Sequence, residues 1–203
     1  CVNNIESAYK YTKSCEQLYI KYFNPRRLNY IKKNLTGLAF KCQKYDEVVT
    51  SARSNLLFTS REETRPVVYK QTIMLLCSAL ILTKQYKEAI NSTELIYENE
   101  FTDYYKQAML IKMFCYLKLN KKAQLEDVYA QLKVVEDNRA ITLADLIHDL
   151  ISQKRKEMST FGKRLKPIYV DAFSGYRQIC DLLKSEYEQY LKKNNKFIDI
   201  LDM

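Results

Sequence analysis

Glycine and proline are nearly missing from this sequence, three of each among 203 residues, and there is no tryptophan and a single histidine. Those two residue types carry most tight turns, so little material is left for β-hairpins, and long helices joined by short links are the natural consequence. Three scattered glycines also exclude a phosphate-cradling loop of the Walker or dinucleotide type. His148, between Ile147 and Asp149, has no partners at the spacing of a Ser-His-Asp triad or an HExxH zinc site. The six cysteines lie far apart without a CxxC pair, which removes the usual spacing for thiolate zinc ligands. Carboxylate pairs such as Glu62/Glu63 and Asp145/Asp149 fit helix-start electrostatics and solvated faces. The chain is therefore expected to be no enzyme and to need no cofactor or metal.

What is present is helical material. The length suits one domain with a sizeable core or several stacked helical pairs. Seventeen tyrosines suit interhelical seams and binding grooves, because the ring can be buried while the hydroxyl stays wet. Thirty-three basic against 24 acidic residues leave a net charge of +9, which favours an acidic protein, nucleic acid or an anionic membrane surface as partner. Most cysteines fall in apolar stripes, where a thiol acts as a small hydrophobe, so reduced thiols and a cytoplasmic or nuclear location are expected. The longest apolar run, Ile73 to Leu82, is broken by Ser78 and is too short to span a bilayer. Cys1 stands where an initiator methionine would and is read as a cut end, with a lipid-modified bacterial terminus as the alternative.

Periodicity places the helices. Ile5, Ala8, Cys15, Tyr19 and Tyr22 share one face of a first helix, which Asn24-Pro25 ends; Pro25 then opens a second with Leu28, Ile31, Leu35, Leu38 and Cys42 in steps of three and four. A third follows through Val48, Ala52 and Leu56. Polar 59–65 is the best linker, after which Pro66 opens a very apolar helix and Tyr86–Glu100 forms its partner. An apolar helix over Tyr104–Leu119 precedes an amphipathic one over Leu125–Val135. Thr142-Leu-Ala-Asp145 resembles a capping box starting a helix through Phe161, with Gly162 and Pro167 marking the next break. Tyr169, Phe173, Tyr176, Cys180, Leu183, Tyr187 and Tyr190 alternate in steps of four and three, a heptad seam that either docks on its own chain or pairs with a partner.

Three elbows recur: FKCQKYDEVV at 40–49, ILTKQYKEAI at 81–90 and LKLNKKAQLE at 117–126. Tyr45 to Tyr86 is an offset of 41 and Leu80 to Tyr116 one of 36, the period of helix-turn-helix repeats that share a core only when stacked. At these residues the chain resembles the tetratricopeptide-repeat family. Leu76 and Cys77 match its large-then-small pairing, Leu80 its bulky contact, Tyr86 its turn aromatic and Ala89 its close-packing small residue. Tyr116 takes the aromatic place in the next pair. Leu125 and Val48 stand where alanine is usual, the turn glycine is missing, and no proline ends a second helix. The resemblance covers about residues 26–136 and implies an all-α, right-handed array of antiparallel helix pairs, an α-solenoid. Residues 1–25 would form an N-terminal helix and 137–203 C-terminal helices that cap or extend the stack.

The function expected from this resemblance is a protein-binding scaffold or adaptor within a multisubunit complex. The family's groove positions correspond to Met74, Ser78 and Ile81 in one repeat and to Leu110, Phe114 and Leu117 in the next. Such a groove is apolar and would take a peptide or amphipathic helix of another protein. The family's clamp for C-terminal carboxylates is not reproduced at these positions. The alternative is nucleic-acid binding through a basic surface: Lys154, Arg155, Lys156, Lys163, Arg164 and Lys166 cluster in QKRKEMSTFGKRLKP, and Arg26, Arg27, Lys32 and Lys33 add a second patch. A third reading is a regulatory sensor or secretion-type cochaperone whose repeats bind a small peptide.

Overall fold

The computed structural model describes residues 2–22, 25–58, 66–96, 103–152, 155–171 and 174–193. The linker expected at 59–65, Phe173 and Lys154 lie outside them, and the helix expected to reach Glu100 ends earlier, at Thr93, where the Leu95 and Ile96 N–H groups turn back three residues to Ser92 and Thr93. Every regular element among the described residues is an α-helix: α1 Val2–Lys21, α2 Pro25–Lys41, α3 Tyr45–Phe58, α4 Pro66–Leu82, α5 Tyr86–Thr93, α6 Asp103–Lys118, α7 Lys122–Lys133, α8 Asn138–Ser152, α9 Arg155–Asp171 and α10 Ser174–Lys193. None is long and apolar enough to cross a membrane. The chain divides into two compact units, Cys1–Ile96 and Tyr97–Met203; the division falls inside the 26–136 segment that the resemblance groups together.

In the first unit α2 packs on α1, α3 and α4, while α4 also packs on α3 and α5. The core is aliphatic: Leu35, Val48, Ile73, Leu76 and Leu80 are buried, and Ala39, Ala52, Ala79 and Ala89 let helices approach closely. Cys77 and Ala89 are both fully buried, and the Cys77 thiol donates to the Ala89 carbonyl across 3.7 Å. Burial pushes that thiol up to about 12, so it is a packing group and not a nucleophile. Thr36 stands 41 residues before Cys77, and its buried hydroxyl meets Ser51 Oγ at 2.8 Å. Polar ties close the unit: Tyr9 of α1 donates to Glu47 at the start of α3, and Arg53 of α3 pairs with Glu88 of α5. The Tyr9 hydroxyl, followed by Lys13 and Lys44, holds the Glu47 carboxyl below its usual range against the opposing effect of burial.

In the second unit α6, α7 and α8 pack on one another, α9 lies on α8, and α10 lies on α6, α8 and α9. Leu110, Met113, Phe114, Leu125, Leu143, Leu146, Ile147 and Phe161 form its core. The expected C-terminal heptad is shared by two helices, with Tyr169 on α9; its α10 part docks on its own chain, with Tyr176, Cys180, Leu183 and Tyr187 buried. Tyr187 stacks on Phe161 at 4.6 Å between centroids and donates to the Met158 carbonyl at 3.0 Å. Two expectations fail here. Helix α8 starts at Asn138, not at Thr142, because the Asp137 carboxylate caps it, accepting from the N–H groups of Arg139 (2.9 Å) and Ala140 (3.1 Å). Thr142 and Asp145 then sit inside the helix, where Asp145 accepts from Tyr129 OH at 2.8 Å and pairs with Lys133 at 2.6 Å. Gly162 and Pro167, expected as a break, both lie within α9.

The three elbows have one backbone. After α2, Gln43 has φ 60°; after α4, Lys84 has φ 62°; after α6, Asn120 has φ 54°. The next N–H in each case, from Lys44, Gln85 or Lys121, reaches back five residues to the carbonyl of Ala39 (2.9 Å), Leu80 (2.7 Å) or Tyr116 (2.9 Å). The left-handed residue itself donates to Phe40, Ile81 or Leu117. These paired bonds satisfy the orphan carbonyls at the helix end in the manner of a Schellman motif, although the left-handed residue is normally glycine. A non-glycine side chain there costs about 1–2 kcal/mol, less for asparagine. Lys84→Gly is therefore expected to stabilise the chain by about 0.5–1 kcal/mol after glycine's extra unfolded-state entropy, and Lys84→Val to destabilise it. Urea unfolding midpoints at unchanged slope check this, and a lower midpoint for the glycine variant would contradict the left-handed assignment.

Candidate functional site

A surface groove runs along α2 in the first unit. Arg27, Tyr30, Ile31, Asn34, Leu38 and Lys41 follow one another in steps of three, four and one, which puts them on one side of the helix. Two adjoining depressions lie over this side, of about 400 and 380 Å³, and both are lined by Thr12 and Asn34. Toward the start of α2 the walls are Tyr11, Cys15 and Tyr19 of α1. Toward its end the groove is flanked by Lys33 and Lys41 and reaches Gln71, Thr72 and Leu75 of α4. Tyr11 and Tyr30 are 75% and 67% exposed, a large aromatic area left to water. The Arg27 guanidinium lies 6.0 Å from the Tyr19 ring centre and donates to its hydroxyl at 3.3 Å, which presents the cation on an aromatic wall. Among the described residues no carboxylate lines either depression. The groove combines an aliphatic floor, tyrosine edges and positive charge.

A second depression, of about 480 Å³, lies in the other unit around Asp103, Gln107, Glu136, Asn138 and Tyr176. Asp137 is the centre of its polar contacts. Asp137 Oδ2 accepts from Lys106 Nζ at 3.0 Å and Tyr176 OH at 3.0 Å, while Oδ1 caps α8. Burial alone would raise the Asp137 carboxyl, but the Ala140 N–H, Lys106 and Tyr176 outweigh it and hold the group below its usual range. Burial lowers Lys106, and Asp137 and Asp103 more than restore it, leaving it raised; Tyr176 is pushed up by burial and by Asp137. This is a hub tying α6, α8 and α10 together. Asp137 with a lowered folded pKa contributes stability that is present above the unfolded value of about 4 and lost as pH falls through the folded one. Lys106 and Tyr176, both raised, contribute stability that is present below about pH 10 and lost above it. Asp137→Ala is expected to cost about 2–4 kcal/mol, and Asp137→Asn to flatten the acid limb of a stability–pH profile. An unchanged acid limb in the asparagine variant would remove Asp137 as its source.

The positions expected to line an apolar groove are placed differently. Ser78 and Ile81 are buried in the first unit, and Leu110 and Phe114 in the second; Met74 and Leu117 are half-buried. Ser78 donates to the Met74 carbonyl at 2.6 Å. On α4 the residues that reach the groove are Gln71, Thr72 and Leu75, turned around the helix from Met74 and Ile81. α10 packs on α6, and Lys118, one turn beyond Phe114 on α6, pairs with Glu186 of α10 at 2.8 Å. Phe114→Glu is accordingly expected to unfold the second unit, a loss above about 3 kcal/mol from a lost aromatic and a buried carboxylate. A folded variant by near-UV circular dichroism would show that Phe114 borders open surface.

The basic patch is also divided. Lys163 and Lys166 are exposed on α9. Arg164 is half-buried and paired with the buried Asp149 of α8, so its charge is largely committed within the fold. The side chains of Arg155 and Lys156 are outside the described residues, as is that of Arg26. Arg27 and Lys33 belong to the first unit's groove. His148 stacks on Tyr129 at 4.7 Å and lies 3.2 Å from Glu126 Oε1, a half-buried surface contact of α8 with α7. The groove residues Tyr11, Tyr30 and Lys41 were missed because α1 and α2 are amphipathic and their polar sides read as plain solvated surface, and Leu75 because α4 is apolar nearly all round; the one available signal was the tyrosine excess. No protein-family model, curated protein or solved structure matches this chain.

Proposed function

We propose that this chain is a non-enzymatic protein-binding scaffold: a divergent, tetratricopeptide-like right-handed array of antiparallel helix pairs, holding a helix of another protein against the side of α2. The observation that carries the reading is the recurrence of one elbow backbone at residues 43, 84 and 120, offsets of 41 and 36. Repeats of that period exist to present a continuous row of first helices, and α2 and α4, the first helices of two such pairs, both line the groove. The thiol-to-carbonyl contact of Cys77 with Ala89 supports the reading, since the resemblance implies a close approach of the two helices at those positions.

Nucleic-acid binding is the weaker reading, because Arg164, central to the basic run, is committed to Asp149. The groove walls also hold aliphatic side chains that a phosphate backbone would not use. Selection of displayed helical peptides on the immobilised full chain tests the scaffold reading. Enriched peptides are expected to protect residues 27–41 and 71–75 from hydrogen exchange, and Tyr30→Ser is expected to weaken them about tenfold while shifting stability by less than about 0.5 kcal/mol. Enrichment of no helical peptide, or protection confined to the second unit, would overturn it.

A further inference from the structure

Gly37 lies inside α2, one turn before its last residue Lys41, in a chain with only three glycines. Glycine inside a helix is less stable than alanine, so its presence calls for a reason. Internal packing does not supply one: a Cβ built on Gly37 would meet nothing within 4 Å. Nor does backbone geometry, since Gly37 has no positive φ. The residue lies in the groove wall beside Leu38, between the depression's two lysines, Lys33 and Lys41. The missing side chain leaves the α2 backbone bare where an occupant would cross it.

Resting on the scaffold reading above, we infer that this groove receives an acidic amphipathic helix, which crosses α2 over Gly37. Two partner chemistries fit different parts of the surface. Ile31, Leu38 and Leu75 offer an apolar floor for a stripe of aliphatic side chains. Lys33 and Lys41 flank it with positive charge, and among the described residues no carboxylate lines their depression; Arg27 lies at the groove's other end, against Tyr19. Carboxylates on the sides of the incoming helix complement these cations, whereas a basic helix would be repelled. From Arg27 to Lys41 the side of α2 extends about 21 Å, enough for about four turns of a docked helix. Helix axes packed through ordinary side chains stay about 8–10 Å apart, and a glycine at the crossing permits the lower end of that range.

The test uses the full chain and three fluorescent probes. One is a helical peptide of about four turns with leucine on one face and glutamate on the others; the second replaces every glutamate by lysine; the third is a single-stranded oligonucleotide. The glutamate peptide is expected to bind at least about tenfold more tightly than the lysine peptide, and to weaken several-fold between ~50 and ~500 mM salt. Lys33→Glu with Lys41→Glu is expected to weaken it a further tenfold or so. Gly37→Ala is expected to weaken it about fivefold while leaving the unfolding midpoint unchanged or higher, which separates a lost docking site from a damaged fold. Equal binding of the two peptides, or indifference to Gly37→Ala, overturns the acidic-helix inference and leaves the scaffold reading standing. Tighter binding of the oligonucleotide, with neither peptide bound, overturns both.

Discussion

Everything else in this chain depends on how a helix is ended without glycine or proline. At three places the backbone turns left-handed for one residue, and a pair of hydrogen bonds to the preceding turn closes the helix. The next helix then begins within two residues, at Tyr45, Tyr86 or Lys122. So short a link leaves the second helix nowhere to go but against the first, and the packing of α2 with α3, α4 with α5 and α6 with α7 follows. The strain of a side chain in the left-handed region is offset by carbonyls that would otherwise face the core unpaired. Elbow side chains help: Phe40 and Tyr45 meet edge to face at 5.6 Å across the first.

Given those elbows, the two units treat their polar groups differently. In the second, charges are spent inward: Asp137 on Lys106 and Tyr176, Asp149 on Arg164, Glu186 on Lys118. Each joins one helix to another, and α10 lies across α6, α8 and α9 with its heptad seam buried. In the first unit the ties of Tyr9 to Glu47 and Arg53 to Glu88 involve α1, α3 and α5, and leave the groove side of α2 with Arg27, Lys33 and Lys41 among tyrosines and aliphatics. A glycine inside α2 that packing does not require lies on that same side. The open cationic and aromatic side thus belongs to the first unit, and α10 completes the core of the second.

Much of the fold was legible in the residues. Steps of three and four among Leu28, Ile31, Leu35 and Leu38 fix a helix, and Pro25 and Pro66 fit only its first turn, where both are found. The elbow offsets were legible too, because Tyr45 and Tyr86 stand at equivalent places in the turn. The start of α8 was not: Thr142 and Asp145 reproduce the spacing of a capping box, but the competing carboxylate of Asp137 lies five residues earlier and wins the helix start. Gly162 and Pro167 were misleading for a related reason, since packing of α9 on α8 and α10 retains helix where propensity alone ends it. Which way Met74, Ser78 and Ile81 point was not legible, because α4 is apolar nearly all round. Such a helix has no sequence-visible outward side, and only the packing of its neighbours decides that Leu75 faces the groove while Ser78 and Ile81 are buried.

The central claim is that one elbow geometry recurs three times. It is tested most directly by determining the backbone φ of Gln43, Lys84 and Asn120 in solution, from NMR residual dipolar couplings and chemical shifts of the full chain. The account predicts a positive φ at all three, with slowed amide exchange at Lys44, Gln85 and Lys121, whose N–H groups close the turns. A negative φ at any of the three would contradict it, since the five-residue bond cannot then form and the helices on either side lose the link that sets them together.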